Sequence, residues 1–369
     1  MVKILVVDDS ALMRRIVCDI IDTDSNLEVV DVSIDGLDAY NKIKNGTYDI
    51  VILDMILPRM SGLDVLTKLK EENIKCPTTI LISSTLKEDA EATLLAMERG
   101  AVDFIVKPFR SDNTSRNDFA EKLLSSIKVV ATHHLGIRYS QTNRLPTPTA
   151  TQVVRNPGKT LAQNAELFTA PKRVEKVSGR KLIAIACSTG GPQALHEFVP
   201  MLPGDLPYPV ILTQHMPPGF TASLATRLNT LSAISVKEAE EGDELKAGWV
   251  YIAPGGKHLE ITEKGSRLVC HLSDEPPVGN LKPCADIMYR SLASIGFEEI
   301  ICVVLTGMGA DGTAGIKFIK QYHNIYTISQ NEETCVVYGM PKAVAQAGLS
   351  DEVVPLKEVA KSITRKLGV

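Results

Sequence analysis

Short apolar runs at 3–7, 29–32, 50–53, 79–82 and 104–106 alternate with amphipathic stretches such as 12–21 and 90–99. Runs this short and this apolar read as strands. Their alternation with helices predicts a parallel, doubly wound α/β sheet. Between 131 and 176 the pattern stops. That stretch is rich in Thr, Pro, Asn and Gln and carries seven Lys/Arg against two Asp/Glu, so it reads as a flexible, basic linker. From 181 the alternation resumes, with strands at 181–187, 210–213, 249–252, 300–306 and 325–328. Helices are expected at 194–201, 221–228, 285–295, 313–322 and 340–347, and a hairpin at 258–262 and 267–272 around Lys264-Gly265-Ser266. The expectation is two α/β domains, 1–125 and 179–369. Between them, 126–178 holds the end of the last helix of the first domain and the linker.

Composition narrows the function classes. With 369 residues, 44% hydrophobic and 23% charged, the chain has material for two cores. A net charge of −4 gives no chain-wide attraction for polyanions, and 5% aromatic residues make a poor stacking platform, so no nucleic-acid partner is expected. No apolar run approaches the ~18 residues needed to cross a bilayer, and Asp8 and Asp9 come too early for a secretory signal. Seven cysteines without a C-x-x-C pair fit reduced thiols. A cytoplasmic protein without membrane insertion is expected.

Candidate chemistry gathers at strand ends. Asp8 and Asp9 end the first strand of the first domain, Asp54 the third, Ser83 the fourth, and Lys107 follows the fifth. In a parallel sheet these carboxyl ends share one edge. Three carboxylates there repel one another unless a hard cation such as Mg²⁺ holds them, and with a hydroxyl and an ammonium they form a site for accepting a phosphoryl group. Any one of these acids could equally be a helix cap; five residues at matching ends are harder to explain that way. Val6-Val7-Asp8-Asp9-Ser10, Val51-Ile52-Leu53-Asp54-Met55-Ile56-Leu57-Pro58, Ser61-Gly62-Leu63 and Val106-Lys107-Pro108 resemble a two-component response-regulator receiver domain, over about 1–125. The resemblance implies a flavodoxin-like fold with Asp54 as phospho-acceptor. It also implies Mg²⁺ held by Asp8 (through water), Asp9, Asp54 and the Ile56 carbonyl, with Ser83, Phe104 and Lys107 as switch residues.

In the second domain, Cys187-Ser188-Thr189-Gly190-Gly191-Pro192 lies between an apolar strand and a helix, a turn that lifts a Ser hydroxyl above the sheet. His215 follows the strand at 210–213, and Asp311 follows the strand at 300–306. Each alone has an ordinary structural explanation. Together they supply nucleophile, base and orienting carboxylate from three strand ends. The order Ser…His…Asp, with Ala186 at the first Gly of G-x-S-x-G, disfavours the common α/β-hydrolase fold. Gly307-x-Gly309-x-x-Gly312 has the form of a dinucleotide fingerprint. The strand after it, however, is followed by Ser329 and Gln330 rather than an acid, and the motif opens late in the domain.

Ser188-Thr189-Gly190-Gly191, Thr213-Gln214-His215-Met216-Pro217-Pro218-Gly219-Phe220, Ala253-Pro254-Gly255-Gly256, Leu305-Thr306-Gly307-Met308-Gly309 and Asp311-Gly312 resemble the catalytic domain of the chemotaxis protein-glutamate methylesterases, the CheB family, over about 180–369. The resemblance implies hydrolysis of γ-glutamyl methyl esters on methyl-accepting chemoreceptors and deamidation of receptor glutamines. It also implies a chemotaxis histidine kinase as phosphodonor. No cofactor is expected in the catalytic domain. Backbone N–H groups near Met308 and at the start of the helix after Ser188 are the oxyanion candidates, with Thr189 as a further hydrogen-bonding group nearby. A phosphorylation-controlled adaptor or transcription factor is the competing class, but it needs a recognition helix or basic stripe that the second half lacks.

Overall fold

The computed structural model of the protein describes residues 1–83, 87–108, 113–135 and 175–369. Strands β1 (Val2–Val7), β2 (Leu27–Ser33), β3 (Ile50–Asp54), β4 (Thr78–Ser83) and β5 (Ala101–Val106) form one parallel sheet in the order β2-β1-β3-β4-β5. Helices α1 (Ala11–Ile21), α2 (Gly36–Asn45), α3 (Gly62–Glu71), α4 (Lys87–Glu98) and α5 (Asn113–Leu135) cover its faces. Local chemistry sets the helix starts. Ser10 accepts the Met13 N–H ahead of α1, and Ser61 and Asp64 form a reciprocal capping box on α3. The strand order reverses between β1 and β3, so the loops after these strands part and leave a crevice lined by Asp8, Asp9 and Asp54.

The second sheet has seven parallel strands in the order β14-β13-β12-β6-β7-β9-β8. These are β6 (Lys181–Cys187), β7 (Val210–Gln214), β8 (Ser235–Glu238), β9 (Trp249–Ile252), β12 (Glu299–Val304), β13 (Ile325–Gln330) and β14 (Glu352–Val354). An antiparallel hairpin, β10 (His258–Lys264) and β11 (Arg267–Ser273), lies apart from it. Helices α6 (Gly191–Phe198), α7 (Phe220–Leu231), α8 (Ala285–Ser291), α9 (Thr313–Ile319), α10 (Met340–Gln346) and α11 (Leu356–Leu367) complete the layers. The central strands β12, β6 and β7 are neighbours and buried apart from Lys181 at the start of β6, so the residues that follow them leave the sheet side by side.

The chain is therefore two doubly wound α/β domains, as its pattern predicts, with local differences. Strand β12 stops at Val304 because the Thr306 N–H turns to the Gln330 side chain, 2.8 Å away. The stretches 194–201 and 285–295 split into an α-helix and a 3₁₀ turn, at Val199–Met201 and Leu292–Ser294. Helix α5 continues to Leu135, which takes 131–135 out of the expected linker. Residues 136–174, most of that linker, lie outside the described residues. Helix α4 has two apolar faces. Ala96 and Met97 pack into the first domain, while Ala90 and Leu94 join a core layer of the second. A single helical period cannot show that its apolar positions serve two cores.

Candidate active site and phosphoryl-acceptor site

In the crevice of the first sheet, ligand oxygens of Asp8, Asp9 and Asp54 all lie within 4.8 Å of one another, with Asp8 and Asp54 buried and Asp9 exposed. Lys107 reaches in from beyond β5, its Nζ 2.6 Å from Asp54 Oδ2 and 3.0 Å from Asp8 Oδ2. The second contact is an ion pair without hydrogen-bond alignment, since the buried Asp8 Oδ2 has no hydrogen-bond partner. Burial, with the neighbouring Asp8 charge, pushes the Asp54 carboxyl up to about 6 against the pull of Lys107 and the Ile56 N–H. An all-oxygen donor set with an unsatisfied buried carboxylate oxygen fits a hard divalent cation.

The other receiver residues are placed as follows. The Ile56 N–H donates to Asp54 Oδ1 at 3.3 Å, and its side chain is exposed. Ser83 is buried at the end of β4 with its hydroxyl 2.9 Å from Thr93 Oγ1 on α4. Phe104 lies at the domain junction, stacked on Phe220 of α7 with ring centroids 4.7 Å apart.

The turn between β6 and α6 carries Ser188. Its N–H donates to the Thr306 carbonyl at 3.0 Å, and its carbonyl accepts the Gly191 N–H at 2.7 Å. Gly190 has φ +76° and sits where a side chain would run into Val336, so only glycine fits. One strand over, the His215 Nε2 lies 2.7 Å from Asp311 Oδ2. Asp311 is fixed further by N–H groups of Ala285 (2.7 Å), Asp286 (2.9 Å) and Gly312 (3.0 Å), and by the Cys284 thiol at 3.1 Å. Burial opposes the Asp311 charge, but His215 and the backbone donors outweigh it and hold the carboxyl below its usual range. Its neighbour Asp286 goes the other way, pushed up to about 7 by burial and by the Asp311 charge.

With Asp311 accepting from Nε2, the ring's lone pair is at Nδ1. No hydrogen bond joins the Ser188 hydroxyl to His215 among the described residues. Both line one cleft of about 730 Å³, and such contacts commonly close only around substrate. Met308 and Thr189 line the same cleft. The backbone before Met308 packs on Ser188, since a Cβ built on Gly307 would lie 2.9 Å from Ser188 Cβ.

The first domain forms the other wall of the cleft, through Asp103, Phe104 and Ser125 among others. The Thr189 hydroxyl donates to Asp103 Oδ2 at 3.4 Å, and burial pushes the Asp103 carboxyl up to about 6. A bidentate pair, Arg227 Nε and Nη2 to Glu98 at 2.8 and 2.9 Å, ties α7 to α4. His196 of α6 lies 3.2 Å from the same carboxylate, off the hydrogen-bond direction. Sequence reasoning passed over Cys284, Asp286, Glu98 and Arg227. Only Gln214 stood inside a motif, beside His215.

Residues 4–116 match the model of the response regulator receiver domain, and residues 183–363 match that of the CheB methylesterase domain. The protein-glutamate methylesterase/protein-glutamine glutaminase of Bacillus subtilis is 41% identical over 99% of this chain and 98% of its own. That of Pyrococcus abyssi is 39% identical over 99% and 93%. The chain belongs to the CheB methylesterase family. The solved catalytic domain of the Thermotoga maritima CheB methylesterase is 42% identical, covers 52% of this chain and all of its own, and superposes with a TM-score of 0.50. Membership brings an esterase and a receiver into one chain, and the described residues contain no helix long and apolar enough to cross a membrane.

Proposed function

We propose that the chain hydrolyses γ-glutamyl methyl esters on methyl-accepting chemoreceptors, and deamidates receptor glutamines, through Ser188, His215 and Asp311. A chemotaxis histidine kinase supplies the phosphoryl group to Asp54. The observation that carries the hydrolytic reading is the 2.7 Å His215–Asp311 contact on the cleft that also holds Ser188. His215 Nδ1 takes the Ser188 proton as Oγ bonds to the ester carbonyl carbon, and the low-lying Asp311 carboxylate stabilises the imidazolium. In this reading backbone N–H groups at Met308 and at the start of α6 receive the oxyanion, with Thr189 assisting. The imidazolium returns the proton to the leaving methoxide, or to the amine of a glutamine, which releases methanol or ammonia. Water repeats the cycle on the acyl-serine and leaves glutamate.

In the receiver, Asp8, Asp9, Asp54 and the Ile56 carbonyl would hold Mg²⁺, which when bound neutralises charge on the incoming phosphoryl oxygens. Lys107 neutralises the same side, and Ser83 offers a hydroxyl to the modified Asp54. Phe104 is one of the receiver residues that touch the other domain, so a change in its packing is felt at Phe220, at the end of the His215 loop. Methanol release from methylated receptor membranes tests the reading: wild type should release it and Ser188→Ala should not.

A further inference from the structure

Gln214 is buried at the end of β7, between the strand that delivers the nucleophile and the residue read as the base. Its Nε2 donates to two carbonyls, that of Ser188 at 3.0 Å and that of His215 at 3.2 Å. Its Oε1 accepts the Cys187 thiol at 3.0 Å. Both amide hydrogens and one acceptor position are thus spent on the backbone or side chains of residues 187, 188 and 215. The space for this carboxamide is provided by Gly191, where a Cβ would land on Oε1. On the far side of the turn, Thr306 Oγ1 donates to the Thr189 carbonyl at 3.0 Å. The Ser188 turn is therefore tied to β7 through Gln214 and to the β12 side through Thr306.

We infer that Gln214 is a positioning residue for the hydrolysis, a crosspiece that fixes the separation of Ser188 and His215 by donating to both of their carbonyls. A strand-end ladder would not do this alone. Past the β6–β7 ladder, which runs in register as far as Cys187 and Gln214, the next backbone contact is from the His215 N–H to the Cys187 carbonyl at 3.3 Å. The Ser188 peptide itself bonds to Thr306 and Gly191, so its tie to β7 is the Gln214 carboxamide. Displacing a nucleophile by as little as ~1 Å costs up to about 100-fold in rate.

The inference rests on the hydrolytic reading above, and the test separates the two. In the full chain, with methylated receptor membranes as substrate, Gln214→Met keeps the volume but removes both donations; kcat should fall about 10- to 100-fold with KM within about twofold. Gln214→Glu keeps the shape. Ionised, it turns a carboxylate toward two carbonyls; protonated, it regains one O–H donor. Its activity relative to wild type should therefore rise at least about threefold between about pH 8 and about pH 6, because burial raises such a carboxyl. Gly191→Ala, which displaces the carboxamide, should lower kcat like Gln214→Met. Should Gln214→Met melt below the assay temperature, the isosteric Gln214→Glu carries the test. A folded Gln214→Met with kcat within twofold of wild type, or a pH-independent ratio for Gln214→Glu, would overturn the inference, since a merely structural glutamine gives no such profile. Activity surviving in Ser188→Ala would instead overturn the hydrolytic reading itself.

Discussion

Glu98 is the residue whose change should report most directly on contact between the two domains. Its carboxylate receives both Arg227 nitrogens, with the side chains 21% and 35% exposed. An ion pair this accessible is at the upper end of the surface range, about 1 kcal/mol, rather than in the buried class. The Phe104–Phe220 stack adds about 0.5–1.5 kcal/mol beyond its buried area. If the receiver restricts the cleft, Glu98→Gln should shift the closed–open balance about fivefold toward open, and adding Phe104→Ala should raise the shift to roughly 10–70-fold. Initial rates of methanol release from receptor membranes, on unphosphorylated full-length protein, read this directly. The ceiling is the rate of the chain lacking 1–176. A gain in rate on deleting 1–176, with none in Glu98→Gln, Phe104→Ala or the double variant, would refute the claim that these contacts hold the domains together.

Three further outcomes are expected. His215→Ala should cost nearly as much activity as Ser188→Ala because the pair acts as a unit, while Asp311→Asn should be less severe; single-turnover rates on one substrate rank them. Asp54→Asn should abolish labelling by a small phosphodonor, and wild-type labelling should require Mg²⁺; equal labelling of the variant would mean another carboxylate is the acceptor. Burial holds the His196 ring below its usual range despite the Glu98 charge beside it. Glu98, on α4 of the receiver, lies against this ring; if α4 supplies the burial, opening returns the ring toward its free value of about 6.5, and closure weakens as pH falls below that value. Full-length activity relative to the chain lacking 1–176 should therefore rise below about pH 6.5, and the rise should be absent in His196→Gln.

Both sheets were legible in the sequence because their central strands are buried on both faces and read as unbroken apolar runs; Lys181–Cys187 and Trp249–Ile252 were placed to the residue. The edge strands of the second sheet were not. Glu352–Val354 has three residues, none fully buried, and Ser235–Glu238 has one buried side chain, so neither carries an apolar signal. The candidate triad was visible because each member follows a strong strand. What surrounds it was not: the donors to Asp311 come from residues 284–286, remote in sequence, and their pairing follows from how α8 docks. Nor could one chain's pattern show that Glu98 and Arg227, 129 positions apart, would meet.

The volume of the cleft has a consequence for how control would be felt by different molecules. A helix with its side chains is about 10–12 Å across, far wider than one glutamyl side chain, and Asp103, Phe104 and Ser125 of the receiver form the other wall of the cleft that holds Ser188 and His215. A single glutamyl ester side chain fits within it; a multi-turn receptor helix carrying that side chain does not. If the receiver restricts the cleft, closure works as a molecular sieve. A small serine-directed acylating agent should react with Ser188 at nearly the same rate whether or not the receiver is in place, while the methylated receptor should be turned away.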